Sequence, residues 1–316
     1  MNRTEIYDVF IALCGNESAI AAIAGSVTVL NPFGYMPAET YPFLQVLPTQ
    51  FYPLAALAYL LLGLSWLALL LCHLSTSITF QRFHVPSVLF VCMVEAICYY
   101  FSWSSLNDHG ELSLPLVGLT LVLNSIKHTF ARVLLLMVSM GYGITEARLK
   151  YAGRMTVLGA VFFASNLGYM SALQYSHIHS IKLSTVTLAS LPVSFTNSLF
   201  LTWIFMSLSD TIKALKAAQQ TFKLRIFQQL ALLFGSAVGL SVLWFALECY
   251  YRFGKAKEVS WQIWWRFEAA WHVVFYLTIV GVLVLWRPTA RSKDLAYTME
   301  LTSKGVEMQA QEGYSK

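Results

Sequence analysis

Charge is scarce in this 316-residue chain: Asp, Glu, Lys and Arg make up 12% of it, about half the ~25% usual for a soluble domain. Hydrophobic residues reach 57%, more than a water-soluble globule of this length could cover with the polar surface available. Disorder and coiled coil are therefore excluded as the main state. Nine Pro and 17 Gly leave no collagen-like or low-complexity tract. The five Cys do not form a disulfide framework, because Cys72, Cys92 and Cys98 lie inside apolar runs, where a thiol behaves as a small hydrophobe. Cys14 and Cys249 flank such runs and are the candidate disulfide pair. The net charge of +5 is small and its basic residues fall mainly between apolar blocks, so no nucleic-acid partner is expected. An HExxH metal pair, a GxSxG elbow and a GxxxxGK phosphate loop are all missing, so neither an enzyme nor a cofactor is expected.

What is present is a series of apolar blocks. The clearest, FYPLAALAYLLLGLSWLALLLC at 51–72, crosses ~30 Å of hydrocarbon without a charged residue. Others run at about 85–103, 114–140, 155–173, 184–208, 229–249 and 267–286. The expected fold is an all-α membrane protein, a seven-transmembrane helix bundle over 51–287, with a short segment at 1–50 and a tail at 288–316. Segments on the side of the N-terminus carry 6 Lys or Arg, and those on the opposite side carry 13. The positive-inside rule then predicts a lumenal or extracellular N-terminus and a cytosolic C-terminus, although Arg252, Lys255, Lys257 and Arg266 oppose it locally. Two glycosylation sequons, at Asn2 and Asn16, fall on the predicted lumenal side. Tryptophans near span ends, among them Trp103, Trp203, Trp244 and Trp286, read as interfacial anchors, as do Tyr99 and Tyr100. The basic, amphipathic connection at 210–227 reads either as an extension of the flanking helices or as a segment lying on the membrane face.

The third block holds the most informative cluster: Asn124, Lys127, His128 and Arg132 in apolar surroundings. Lys127 falls near mid-membrane, and Glu95 reaches a similar depth from the second block, so the economical arrangement pairs them and leaves Arg132 to backbone carbonyls or the inner interface. Two readings stay open: the charges tie the bundle together, or they line a wet cavity for an ion or ligand. Glu248, Glu268 and His272 are candidates for the mouth of such a cavity. Asn166 and Asn197 suit bonds across helices, and Gly235 with Gly239 suits close helix contact.

The chain resembles the GOST family, Golgi-localised heptahelical proteins once grouped as lung seven-transmembrane receptors. The resemblance rests on Asn31-Pro-Phe-Gly-Tyr-Met-Pro-Ala-Glu39 leading into Phe51-Tyr52, on Asn124-Ser-Ile-Lys127 through Arg132 to Ser139-Met-Gly141-Tyr-Gly143, and on Trp271-His272 followed by Leu285-Trp286-Arg287-Pro288. The last motif is nearest to the transmembrane-protein 87 branch. The resemblance implies a multi-pass protein of Golgi or endosomal-system membranes, with a lumenal N-terminus and a role in membrane trafficking or organelle homeostasis. It implies that Lys127 occupies the family's membrane-buried lysine position, with Arg132 as its companion, and it implies no retinal. Because about fifty residues precede Phe51, it also implies that most of the family's lumenal GOLD-like domain is absent here.

The functional expectation is action in trafficking or homeostasis through a polar central cavity. The alternatives are a cation channel or transporter and a heptahelical ligand receptor. Expected partners are membrane lipids, a lipid, small molecule or cation within the bundle, and trafficking proteins on the cytosolic side.

Overall fold

A computed structural model describes residues 48–73, 80–111, 113–142, 151–178, 183–253 and 264–288. The segments before and after, with Asn2, Asn16 and Cys14, lie outside the described residues, so the glycosylation and disulfide expectations do too. Seven helices follow in order: α1 (Pro48–Cys72), α2 (Val85–His109), α3 (Leu114–Ser139), α4 (Ala152–Ile178), α5 (Leu183–Ala217), α6 (Thr221–Phe253) and α7 (Trp264–Leu285). The first six are long and apolar enough to span a bilayer, whereas the apolar part of α7 is the shorter stretch Ala269–Leu285. No strand occurs among the described residues.

Helix ends follow from local chemistry. Pro at the start of α2 and of α3 suits a helix N-terminus, where no intrahelical donor is needed. Gly110 closes α2 in a left-handed conformation (φ 73°), its N–H bonding the carbonyl of Leu106 at 3.0 Å. Gly141, at φ 76°, does the same after α3, with Tyr142 N–H reaching back to the carbonyl of Met137. A π-helical turn, Phe80–His84, leads into α2. The connection at 210–227 proves to be helix extension: α5 continues to Ala217 and α6 starts at Thr221, and Gln219 takes the left-handed conformation between them.

Consecutive helices are neighbours, α7 returns to α1, and α3 packs on α2, α4 and α5 as the inner helix. Polarity is arranged inside out relative to a protein in water. Leu54, Leu61, Leu64, Phe195 and Leu232 are exposed, while Glu95, Asn124, Ser125, Lys127 and Asn166 are buried. In hydrocarbon that is the favourable order, because leucine faces lipid at no cost and a charge must find a partner inside.

The end of the bundle where α7 finishes and α6 begins is closed by large side chains. Trp286 is buried, packs edge-on against Phe227 with ring centroids 5.8 Å apart, and its carbonyl accepts from Gln81 Nε2 at 2.9 Å. Trp66 Nε1 in turn donates to the carbonyl of Gln81 at 3.1 Å. Trp286 is therefore a packing residue joining α7 to α6 and the π-helical turn, not an interfacial anchor. The Gly235–Gly239 expectation also fails: a Cβ at either position would meet nothing within 4 Å. The close approach lies instead at Gly281 on α7, where a Cβ would stand 2.7 Å from the methyls of Leu233 on α6.

Candidate functional site: a lysine shared by three helices

Lys127 lies on the inner helix with its long stem buried, and its ammonium meets groups from two other helices. Nζ stands 2.9 Å from Oε2 and 3.0 Å from Oε1 of Glu95 on α2, and both residues are 1% exposed. It also stands 3.3 Å from Nδ1 of His272 on α7, and 4.9 Å from the centroid of the Phe275 ring one turn further on. An ammonium has three protons and no lone pair, so Nδ1 of His272 must be the acceptor and the ring proton must sit on Nε2. Two carboxylate oxygens and one imidazole nitrogen thus use the whole donor capacity of Lys127.

The carboxylate is held from a second direction. Asn124, one turn before Lys127 on α3, donates from Nδ2 to Glu95 Oε1 at 3.0 Å. Its own Oδ1 is buried with no donor within bonding distance. Above the cluster, Tyr52 of α1 stacks on Tyr99 of α2 with centroids 4.7 Å apart. The His272 ring stands near-perpendicular to both of these rings, with centroids at 5.6 and 5.9 Å. Tyr99 is four residues beyond Glu95, on the same helix face, and belongs to this cluster rather than to the outer interface.

Arg132 forms a second node, five residues further along α3. Nε donates to Oδ1 of Asn197 on α5 at 2.9 Å, Nη1 to the carbonyl of His128 at 3.0 Å, and the guanidinium lies 4.2 Å from the centroid of Phe162 on α4. Asn166 of α4 donates to Ser125 Oγ at 3.1 Å. His128 turns its ring edge-on to Phe275 at 5.5 Å. Through these bonds α3 is tied to α2, α4, α5 and α7.

The predicted central residues Glu95, Asn124, Lys127 and His128 thus gather around the inner helix, with Arg132 a step deeper. Of the three predicted mouth residues, the structure describes the side chains of His272 and Glu248. His272 belongs to the centre, because it bonds Lys127. Glu248 is half-buried at the end of α6, with Trp271 Nε1 3.4 Å from its carboxylate, and the side chain of Glu268 lies outside the described residues. Cys249 is half-buried. Sequence reasoning did not place Tyr52, Phe275 or Phe162 in the site; only Tyr99 carried a signal, its i+4 spacing from Glu95. Among the described residues no three His, Cys, Asp or Glu side chains converge to hold a metal ion.

Comparison with known proteins agrees with this architecture. Residues 48–293 match the family model described as GOST, seven transmembrane domain. Transmembrane protein 87A of Xenopus tropicalis is 28% identical over 291 residues, covering 90% of this chain and 51% of the relative. Human transmembrane protein 87B is 26% identical over 298 residues, covering 92% and 51%. The membrane protein PTM1 of Saccharomyces cerevisiae is 24% identical over 211 residues, covering 64% and 40%. The chain spans about half the length of the curated relatives it matches. An all-helical bundle with ionisable groups at its centre, matched along most of its length by that model, is a multi-pass membrane protein of the GOST seven-transmembrane family.

Proposed function

We propose that this chain works in membrane trafficking or organelle homeostasis in Golgi or endosomal-system membranes, with its N-terminus lumenal, and that the Glu95–Lys127–His272 cluster is the part through which it works. The role is non-enzymatic. The observation that carries the reading is the sharing of one ammonium between α2 and α7 at 2.9 and 3.3 Å. Such a hub is a two-position element: if His272 is drawn away, by a ligand or by a shift of α7, Lys127 keeps the Glu95 carboxylate and α7 separates without leaving a bare charge. Family membership and the positive-inside balance support the location and orientation.

The test is depletion of the protein in cells that express it, scoring N-glycan maturation, cargo transit time and Golgi morphology. The reading expects all three to be disturbed and to be restored by the wild-type chain. Unchanged glycans, transit and morphology would overturn it.

A second reading, cation conduction, is favoured by the oxygen-rich face beside Lys127, where Asn124 Oδ1 lacks a donor next to the Glu95 carboxylate. Purified protein in sealed liposomes then carries an ion flux that Glu95→Gln alters, and no flux across a range of voltages and lipids would eliminate it.

A further inference from the structure

On the lipid-facing side of the bundle, α4 and α5 border an open groove of about 580 Å³. Its walls include Val157 and Val161 of α4 and Phe195 and Leu199 of α5, and Pro192 lies toward its deep end. Its two hydroxyl residues face inward, to the backbone: Ser165 Oγ bonds the carbonyl of Val161 at 2.8 Å and Thr196 Oγ1 that of Pro192 at 2.8 Å. The groove therefore offers its occupant hydrocarbon along its length. One end differs. Arg154 stands there, exposed, in the first turn of α4, its guanidinium 5.4 Å from the Tyr151 ring, and Tyr151 meets Trp203 of α5 at 6.5 Å.

From these observations we propose that the groove binds one anionic phospholipid, an acyl chain lying between α4 and α5 and the headgroup phosphate on Arg154. Length supports this. From Arg154 to Ser165 the helix rises about 16 Å, close to one leaflet of a ~30 Å hydrocarbon layer. An amphipathic Tyr–Trp pair at the charged end is what the headgroup level calls for. Charge supports it as well. Arg154 shares its side of the bundle with Lys213, Lys216, Lys223 and Arg225, where α5 ends and α6 begins. That is the basic, cytosolic side by the charge rule, and the cytosolic leaflet is the one rich in anionic lipid. The groove is separate from the Lys127 cluster, so its occupancy is independent of the proposed function.

The full chain, reconstituted in phosphatidylcholine vesicles with and without phosphatidylserine and then extracted in mild detergent, reports the lipid it retains by native mass spectrometry. The wild type is expected to keep phosphatidylserine in preference to phosphatidylcholine. Arg154→Gln should lower phosphatidylserine retention about tenfold, the scale of one charge-assisted hydrogen bond, and Arg154→Lys should keep most of it. Val157→Trp, which fills the slot from its exposed wall, should reduce retention of both lipids. Equal retention of the two lipids by the wild type would overturn the proposal, as would an unchanged phosphatidylserine preference in Arg154→Gln. That arginine is exposed and its ring contact is with the exposed Tyr151 rather than with the core, so the variant remains informative even if Val157→Trp fails to fold.

Discussion

Lys127 Nζ and His272 Nδ1 lie 3.3 Å apart, joining residues 145 positions distant in the chain on the inner helix α3 and the last helix α7. The ammonium donates and the imidazole accepts, which makes the last helix part of the central charge network rather than a rim around it.

Truncating that acceptor should therefore matter by chemistry and not by size. His272→Phe is expected to cost about 1–3 kcal/mol, the penalty for a buried donor without an acceptor, while His272→Gln, which offers a carbonyl oxygen, should cost less than about 1 kcal/mol. Thermal melting in one detergent distinguishes them; equal losses would mean that the contact with Lys127 contributes nothing.

The Glu95–Lys127 pair should behave non-additively. Glu95→Gln or Lys127→Met alone leaves one charge buried and should lower stability by about 3–5 kcal/mol. The double variant removes both charges and should recover most of that loss. A double variant as unstable as the sum of the two singles would show that the pair is not coupled.

Arg132 is not replaceable by lysine. Arg132→Lys cannot reproduce two donors aimed at Asn197 and at the His128 carbonyl together with a flat face on Phe162. A loss of about 2 kcal/mol is expected from the cation–π contact and one hydrogen bond, read by the same melting assay. Wild-type stability in this variant would count against the node.

The helix contact of α6 and α7 is tested at Gly281. A Cβ there enters the space of the Leu233 methyls, so Gly281→Ala should destabilise by about 1 kcal/mol, the cost of turning that half-buried side chain aside, and Leu233→Ala in the same chain should relieve part of it. Gly235→Ala and Gly239→Ala meet open space and should be neutral or stabilising by under about 1 kcal/mol. Losses at Gly235 or Gly239 equal to that at Gly281 would place the close contact elsewhere.

How far these features were legible depends on whether they leave a local signal. A lone Glu or Lys in a long apolar run stands out, and counting depth from the span ends brought Glu95 and Lys127 to one level without a structure. Depth along the helix does not bring His272 to the centre, because it leaves out side-chain direction. On α3 the Cα–Cβ bonds tilt back toward the helix start, so the long Lys127 stem carries its charge toward the same side as the beginning of α7. There His272, eight residues in, is within reach. The burial of Trp286 leaves no local signal for another reason. A transmembrane helix can be apolar on every face, so periodicity does not tell which face is buried, and its partners Phe227 and Gln81 come from remote parts of the chain. Gly235 and Gly239 show the same limit: small-residue spacing marks where helices can approach, not where they do.

The most direct test of the central claim uses the neutral double variant Glu95→Gln with Lys127→Met, expressed in depleted cells and first shown to melt close to the wild type. If the charges at the heart of the bundle are what the protein works through, this stable chain leaves cargo transit and glycan maturation impaired. Restoration to the wild-type level would contradict that claim and reduce the cluster to a fastening between helices.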